Sequence, residues 1–152
     1  PRETQQSVDA LLQEEANRGL QQLQTYLGFQ PRADEIKNEL LAFLIEQKSH
    51  GKTMAAYGAA AKGNTLLNYA GIKPDLLPFV CDAAKAKQGQ FMPGSHIPIL
   101  PPERLLEVKP DYVLILPWNI AEEVKTLNAE LVKSGTRFVT AVPALRLYEC
   151  FL

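Results

Sequence analysis

Met54-Ala55-Ala56-Tyr57-Gly58-Ala59-Ala60-Ala61-Lys62-Gly63-Asn64-Thr65-Leu66-Leu67-Asn68 decides how the rest of the chain is arranged. It reads as a short buried strand, a glycine-bounded turn over 58–64, and a helix from about Thr65 to Ala70. Gly58, Ala60 and Gly63 stand at the spacing G-x-G-x-x-G, with alanine in the middle place. In strand–turn–helix units of this spacing the first glycine permits the tight turn. The second lets backbone approach a pair of phosphates, and the third lets the helix pack close to the strand. The helix start adds N–H groups without partners and the positive end of a dipole, both suited to an anion. Ala60 puts a methyl where the approach would be closest, and Lys62 puts a cation in the turn. The same pattern also fits a plain strand–turn–helix connection that binds nothing.

Upstream, residues 8–26 read as one Gln-, Glu- and Leu-rich helix, with Ser7 as its N-cap. Leu11, Leu12, Leu20, Leu23 and Leu27 recur at helical spacing. Gly28 and Pro31 punctuate. A second helix over 34–47 carries Ile36, Leu40, Leu41, Phe43, Leu44 and Ile45, and Gly51 is its C-cap candidate. Residues 1–50 are expected to pack on the domain formed by 51–152, or on a neighbouring domain.

Downstream, 77–81 is a second strand ending at Asp82, and an irregular loop with Lys85 and Lys87 follows. Residues 97–100 form a short third strand, limited by Pro98 to an edge or a strand start. A short helix spans 103–108. Residues 111–116 (Asp-Tyr-Val-Leu-Ile-Leu) are continuously apolar after the aspartate, as a parallel strand covered on both faces must be. Asn119 is the expected N-cap of a helix through about Lys133. A fifth strand covers 137–142, and the tail from Pro143 is mixed. Strands alternating with helices imply an α/β, Rossmann-like, doubly wound parallel sheet of about five strands, in the order 3-2-1-4-5, preceded by a helical segment. Ligands bind such sheets where the order reverses, at the strands' carboxyl ends. Residues 58–64, Asp82, and Pro117-Trp118-Asn119 then converge on one crevice.

Composition narrows the function. Net charge is -1, so no basic field points to nucleic acid. No apolar run spans a bilayer and no signal peptide is visible, so a cytoplasmic protein is expected, with no membrane partner. Cys81 and Cys150 form no C-x-x-C and share no ligand spacing with His50 or His96, so no metal site is expected. The start at Pro1, in a polar helical stretch, suggests a fragment or a processed chain.

Three ordered motifs carry a resemblance: residues 57–68, residues 87–99 (Lys-Gln-Gly-Gln-Phe-Met-Pro-Gly-Ser-His-Ile-Pro-Ile) and residues 110–119 (Pro-Asp-Tyr-Val-Leu-Ile-Leu-Pro-Trp-Asn). With them the chain resembles, over nearly its whole length, the C-terminal domain of bacterial S-adenosylmethionine-dependent sugar C-methyltransferases. These enzymes methylate carbon 3 of nucleotide-linked keto-deoxysugars. In that family a zinc-binding domain and a central methyl-donor domain precede this one. The chain has neither the cysteine cluster nor a second glycine-rich loop. The resemblance therefore implies one domain of a methyltransferase, inactive alone. It would hold the nucleotide sugar against the S-adenosylmethionine-binding domain of the same chain, without binding the methyl donor or zinc itself. The other class of function is a stand-alone Rossmann-type nucleotide-binding or regulatory interaction module.

Most candidates have a binding reading and a structural one. Lys62 pairs a diphosphate or is a solvated turn lysine. Asn64 and Thr65 donate to phosphate or cap the helix. Asp82 accepts from a ribose diol or is a turn aspartate. Trp118 stacks on a base, lines a domain interface, or is a core-edge aromatic; Asn119 orients base or sugar. His96 is the one general acid–base candidate, against a structural loop histidine. Lys85 and Lys87 read as a solvated loop pair, and Glu122 and Glu123 as the solvated first turn of their helix.

Overall fold

A computed structural model describes residues 6–148 of the chain. Cys150 and the end of the tail lie outside the described residues. The chain divides into two compact units, one up to Glu35 and the other from Ile36 onward.

The first unit holds α1 (Gln6–Asn17), α2 (Leu23–Leu27) and the first turns of α3 (Phe29–Ser49). The single helix expected over 8–26 is broken. Gly19 adopts φ +70°, and the Thr25 hydroxyl donates to the Gly19 carbonyl at 2.7 Å, fixing a turn between α1 and α2. Ser7 lies inside α1, not at its cap. Pro31 does not delay α3, because a proline in a first turn gives up an N–H that has no helical partner anyway. Tyr26 stacks on Phe29 with ring centroids 5.9 Å apart.

The second unit is the sheet. β1 (Met54–Tyr57) leads to α4 (Ala61–Tyr69), then β2 (Val80–Cys81) and β3 (Ile99–Leu100). α5 (Glu103–Val108), β4 (Tyr112–Ile115), α6 (Ala121–Leu127), α7 (Ala129–Lys133), β5 (Arg137–Thr140) and β6 (Arg146–Tyr148) follow. The order is β3-β2-β1-β4-β5-β6, parallel through β5, so the expected 3-2-1-4-5 core is present. A sixth strand, β6, extends it antiparallel to β5. The helix expected to run to Lys133 is two helices divided at Asn128, whose side-chain amide donates to the Val124 carbonyl at 2.8 Å.

Alternation along the strands builds a core on each face. Ala56, Leu114 and Val139 face Leu40 and Leu44 of α3 and Leu67 of α4. Ala55, Val113, Ile115 and Phe138 face Leu105, Val124 and Leu131 of α5–α7. Asp111 ties the starts of β1 and β4. It accepts from the Thr53 backbone N–H and hydroxyl, each at 2.8 Å, and from Lys52 Nζ at 3.0 Å. With the strand starts tied, the carboxyl ends of β1 and β4 are set in register, Tyr57 opposite Ile115. Among the described residues, no helix is long and apolar enough to cross a membrane.

Candidate functional site

Two glycines fix where α4 begins and how it lies. Gly58 adopts φ +90°, a left-handed conformation that L side chains avoid, and a Cβ there would sit 2.5 Å from Pro117 Cδ. Gly63 is buried, and a Cβ there would sit 2.5 Å from Leu116 Cβ. The first glycine therefore makes the turn beneath Pro117. The last brings α4 against the end of the central strand.

The helix starts earlier than the sequence suggested. Ala60 is the N-cap and has no side-chain oxygen to offer. Lys62, Gly63, Asn64 and Thr65 are thus helical. The Asn64 N–H donates to the Ala60 carbonyl at 2.9 Å, closing the first helical ring. The N–H groups of residues 61–63 lie ahead of it, at the open end of the helix. Thr65 is no cap: its hydroxyl donates back to the Ala61 carbonyl at 3.2 Å. Asn119 is no cap either, lying inside a single 3-10 turn (Trp118–Ile120) ahead of α6.

Asp82 closes the turn from the other side. Its Oδ2 accepts from the Ala59 N–H at 2.7 Å and from Lys87 Nζ at 3.1 Å, and its Oδ1 accepts from the Ala84 N–H at 2.8 Å. At 8% exposure, the carboxylate is turned onto the protein's own donors. This geometry fits a turn aspartate. Lys87 is not a merely solvated lysine, for it also donates to the Ala59 carbonyl at 3.0 Å. Its five-residue spacing from Asp82 was the only sequence signal for this tie.

Lys62 leaves α4 toward the β4 side. Its Nζ donates to Asn119 Oδ1 and lies 5.1 Å from the Trp118 ring centroid. The expected crevice residues therefore meet: turn, Asp82, Lys62, Trp118 and Asn119 gather at the carboxyl ends of β2, β1 and β4. His96 does not join them. It is exposed, at φ +58°, in the turn before β3, and its N–H donates to the Met92 carbonyl at 3.0 Å.

Beside the turn, on its β2–β3 side, lies an open cleft of about 380 Å³. Residues 59–61, Asn64, Lys87 and Phe91 are among those lining it. Asn64 Oδ1 is buried without a hydrogen-bond partner. Phe91 and this cleft were not singled out from the sequence. A larger cleft, of about 600 Å³, lies between α6, α7 and β6 and shares no residue with the turn.

Two titratable groups beneath the site are not poised for chemistry. Burial pushes the Cys81 thiol up to about 12. Burial also raises the Tyr57 phenol, against a hydrogen bond from Asn128. Among the described residues, no three His, Cys, Asp or Glu side chains gather to hold a metal. What the site offers is backbone N–H groups, one helix dipole and Lys62. That array stabilises negative charge and suits a diphosphate.

Residues 1–143 match the family described as C-methyltransferase C-terminal domain. The C-methyltransferase NovU of Streptomyces niveus is 34% identical over 145 residues, covering 95% of this chain and 34% of the relative. The chain thus spans about a third of the length of that relative.

Proposed function

The chain belongs to the C-methyltransferase C-terminal domain family, and from there we propose that it holds the nucleotide-sugar substrate of a S-adenosylmethionine-dependent C-methyltransferase. The substrate is a nucleotide-linked keto-deoxysugar, presented to a methyl-donor domain of the same enzyme. One observation carries the reading. The uncapped start of α4, with Lys62 in its first turn, opens where the ends of β1 and β4 meet.

The methyl donor does not fit this turn. S-adenosylmethionine carries a sulfonium and an ammonium against one carboxylate, a net positive charge, and the turn presents a positive dipole end and an ammonium. Asp82 is turned onto Ala59, Ala84 and Lys87. A diphosphate reverses the electrostatics, with negative oxygens meeting the N–H groups of residues 61–63 and Lys62. In this role Asp82 is a positioning residue that holds the Ala59 amide. Trp118 and Asn119, reached by Lys62, orient the sugar.

The test is the Michaelis constant for the nucleotide sugar in the methyltransferase that carries this domain, with Lys62→Ala. A lost charge-assisted contact amounts to about 1.5–3 kcal/mol, so the constant should rise roughly tenfold or more. An unchanged constant in a folded variant would make the turn a structural connection only.

A further inference from the structure

We infer that the cleft on the β2–β3 side of the turn receives the nucleobase, stacked on Phe91, so that the nucleotide sugar lies across the sheet with its sugar at the β4 end. The inference rests on the nucleotide-sugar reading and fixes which way round that ligand lies.

Phe91 leaves 62% of its surface in water although it belongs to a well-held segment. It pairs with Pro98 in an antiparallel bridge. On one side the Met92 N–H donates to the Ile97 carbonyl at 2.8 Å, and on the other the Ile99 N–H donates to the Gln90 carbonyl at 2.8 Å. The backbone that carries this large apolar ring is therefore fixed, while the ring itself stays open to water. The turn contributes Ala59, Ala60 and Ala61, and Ala86, Met92, Pro93 and Ile99 complete the apolar lining. Small walls and one exposed ring suit a flat ligand, because every base has a π-face to stack. The cleft's polar lining is Asn64, Lys87 and Gln90. Asn64 Oδ1 is buried there without a protein partner.

The orientation follows from α4. Ala61 lines the cleft, while the next residue, Lys62, reaches the other way to Asn119 and Trp118. The open N–H groups of the helix start belong to residues 61–63, the stretch that holds both Ala61 and Lys62. A base on Phe91 and a diphosphate on those N–H groups direct the sugar toward Trp118 and Asn119.

Calorimetric titration of the purified protein tests this. The probes are uridine, thymidine, guanosine and adenosine diphosphates and inorganic pyrophosphate, on wild type, Phe91→Ala and Phe91→Trp. We expect Phe91→Ala to weaken the tightest nucleoside diphosphate about tenfold, the scale of one lost base–aromatic stack. Pyrophosphate affinity and the melting temperature should stay unchanged, and Phe91→Trp should keep the affinity. If both probe types bind and Phe91→Ala changes neither, the base lies elsewhere and the diphosphate reading stands. If Phe91→Ala weakens both equally, Phe91 shapes the turn, and the stacking inference falls. If neither probe binds wild type, the diphosphate reading falls and this inference with it.

Discussion

Gly63→Ala sets two known effects of opposite sign against each other. Alanine is the better helix former, by about 1 kcal/mol in a helix interior. The added methyl, however, would stand 2.5 Å from Leu116 Cβ and 3.2 Å from its Cγ. Ordinary contact begins at 3.4 Å, so α4 and the end of β4 must part by about 0.9 Å, the difference of 3.4 and 2.5. The obstructing atom is a Cβ fixed to the central strand, with no rotation that moves it aside. A gap of 0.5–1 Å forfeits roughly a quarter to a half of each dispersion contact it opens. The Leu67 contacts along α4 are fully buried and lie on this seam. Overpacking of this kind costs about 1–3 kcal/mol, and at the top of that range it outweighs the propensity gain. A net loss of about 2 kcal/mol should lower the melting temperature by about 4–8 °C in a chain of this size. Urea unfolding of wild type and variant should show a lower midpoint at unchanged slope. Gly28→Ala is the control, since a Cβ there meets nothing within 4 Å and its φ of -82° is ordinary. An unchanged or raised midpoint for Gly63→Ala would refute the packing argument.

Asp111, held by the Thr53 N–H first and then by Lys52 and the Thr53 hydroxyl, has its pKa lowered from 3.8 to about 2. A depressed carboxyl stabilises the fold above the unfolded value, and that stability is lost as pH falls from about 4 toward 2. With the side chain 35% exposed, screening reduces the effect to about 1 kcal/mol, and Asp111→Asn should flatten that limb of a stability–pH curve. Cys81, fully buried with its thiol pushed up to about 12, should resist thiol reagents at pH 8 in a Cys150→Ser variant. Labelling that is fast without denaturant would contradict its burial. Asp82→Asn should destabilise by about 1–3 kcal/mol. Its loss combined with that of Lys87→Met should be less than additive, because each single change already breaks the same tie; strict additivity in a double-mutant cycle would show no coupling.

The central architecture was readable because strands buried on both faces carry an unmistakable apolar run, as in residues 112–116. Order followed from handedness and from the alternation of strand and helix. Local boundaries were harder where no side chain marks them. α4 begins at an alanine cap, so nothing in the sequence announced Ala61 over Thr65. The break near Gly19 is sealed by a hydroxyl-to-carbonyl bond six residues away, which periodicity does not reveal. β6 is an edge strand of Arg146, Leu147 and Tyr148, two of them exposed, and edges need no apolar alternation. Among site residues, the meeting of Lys62 with Trp118 and Asn119 followed from topology. The engagement of Asp82 by Ala59 and Lys87 did not, because it depends on how residues 82–87 curl back over the turn.

Trp118 is the only tryptophan in the sequence, and it lies beneath the ammonium of Lys62. An indole excited where tyrosine stays dark emits at a wavelength set by the local field. Any anion that draws Lys62 off the ring changes that field at the single emitter. The unmodified protein therefore carries its own optical gauge of the helix end, readable in a cuvette without a label.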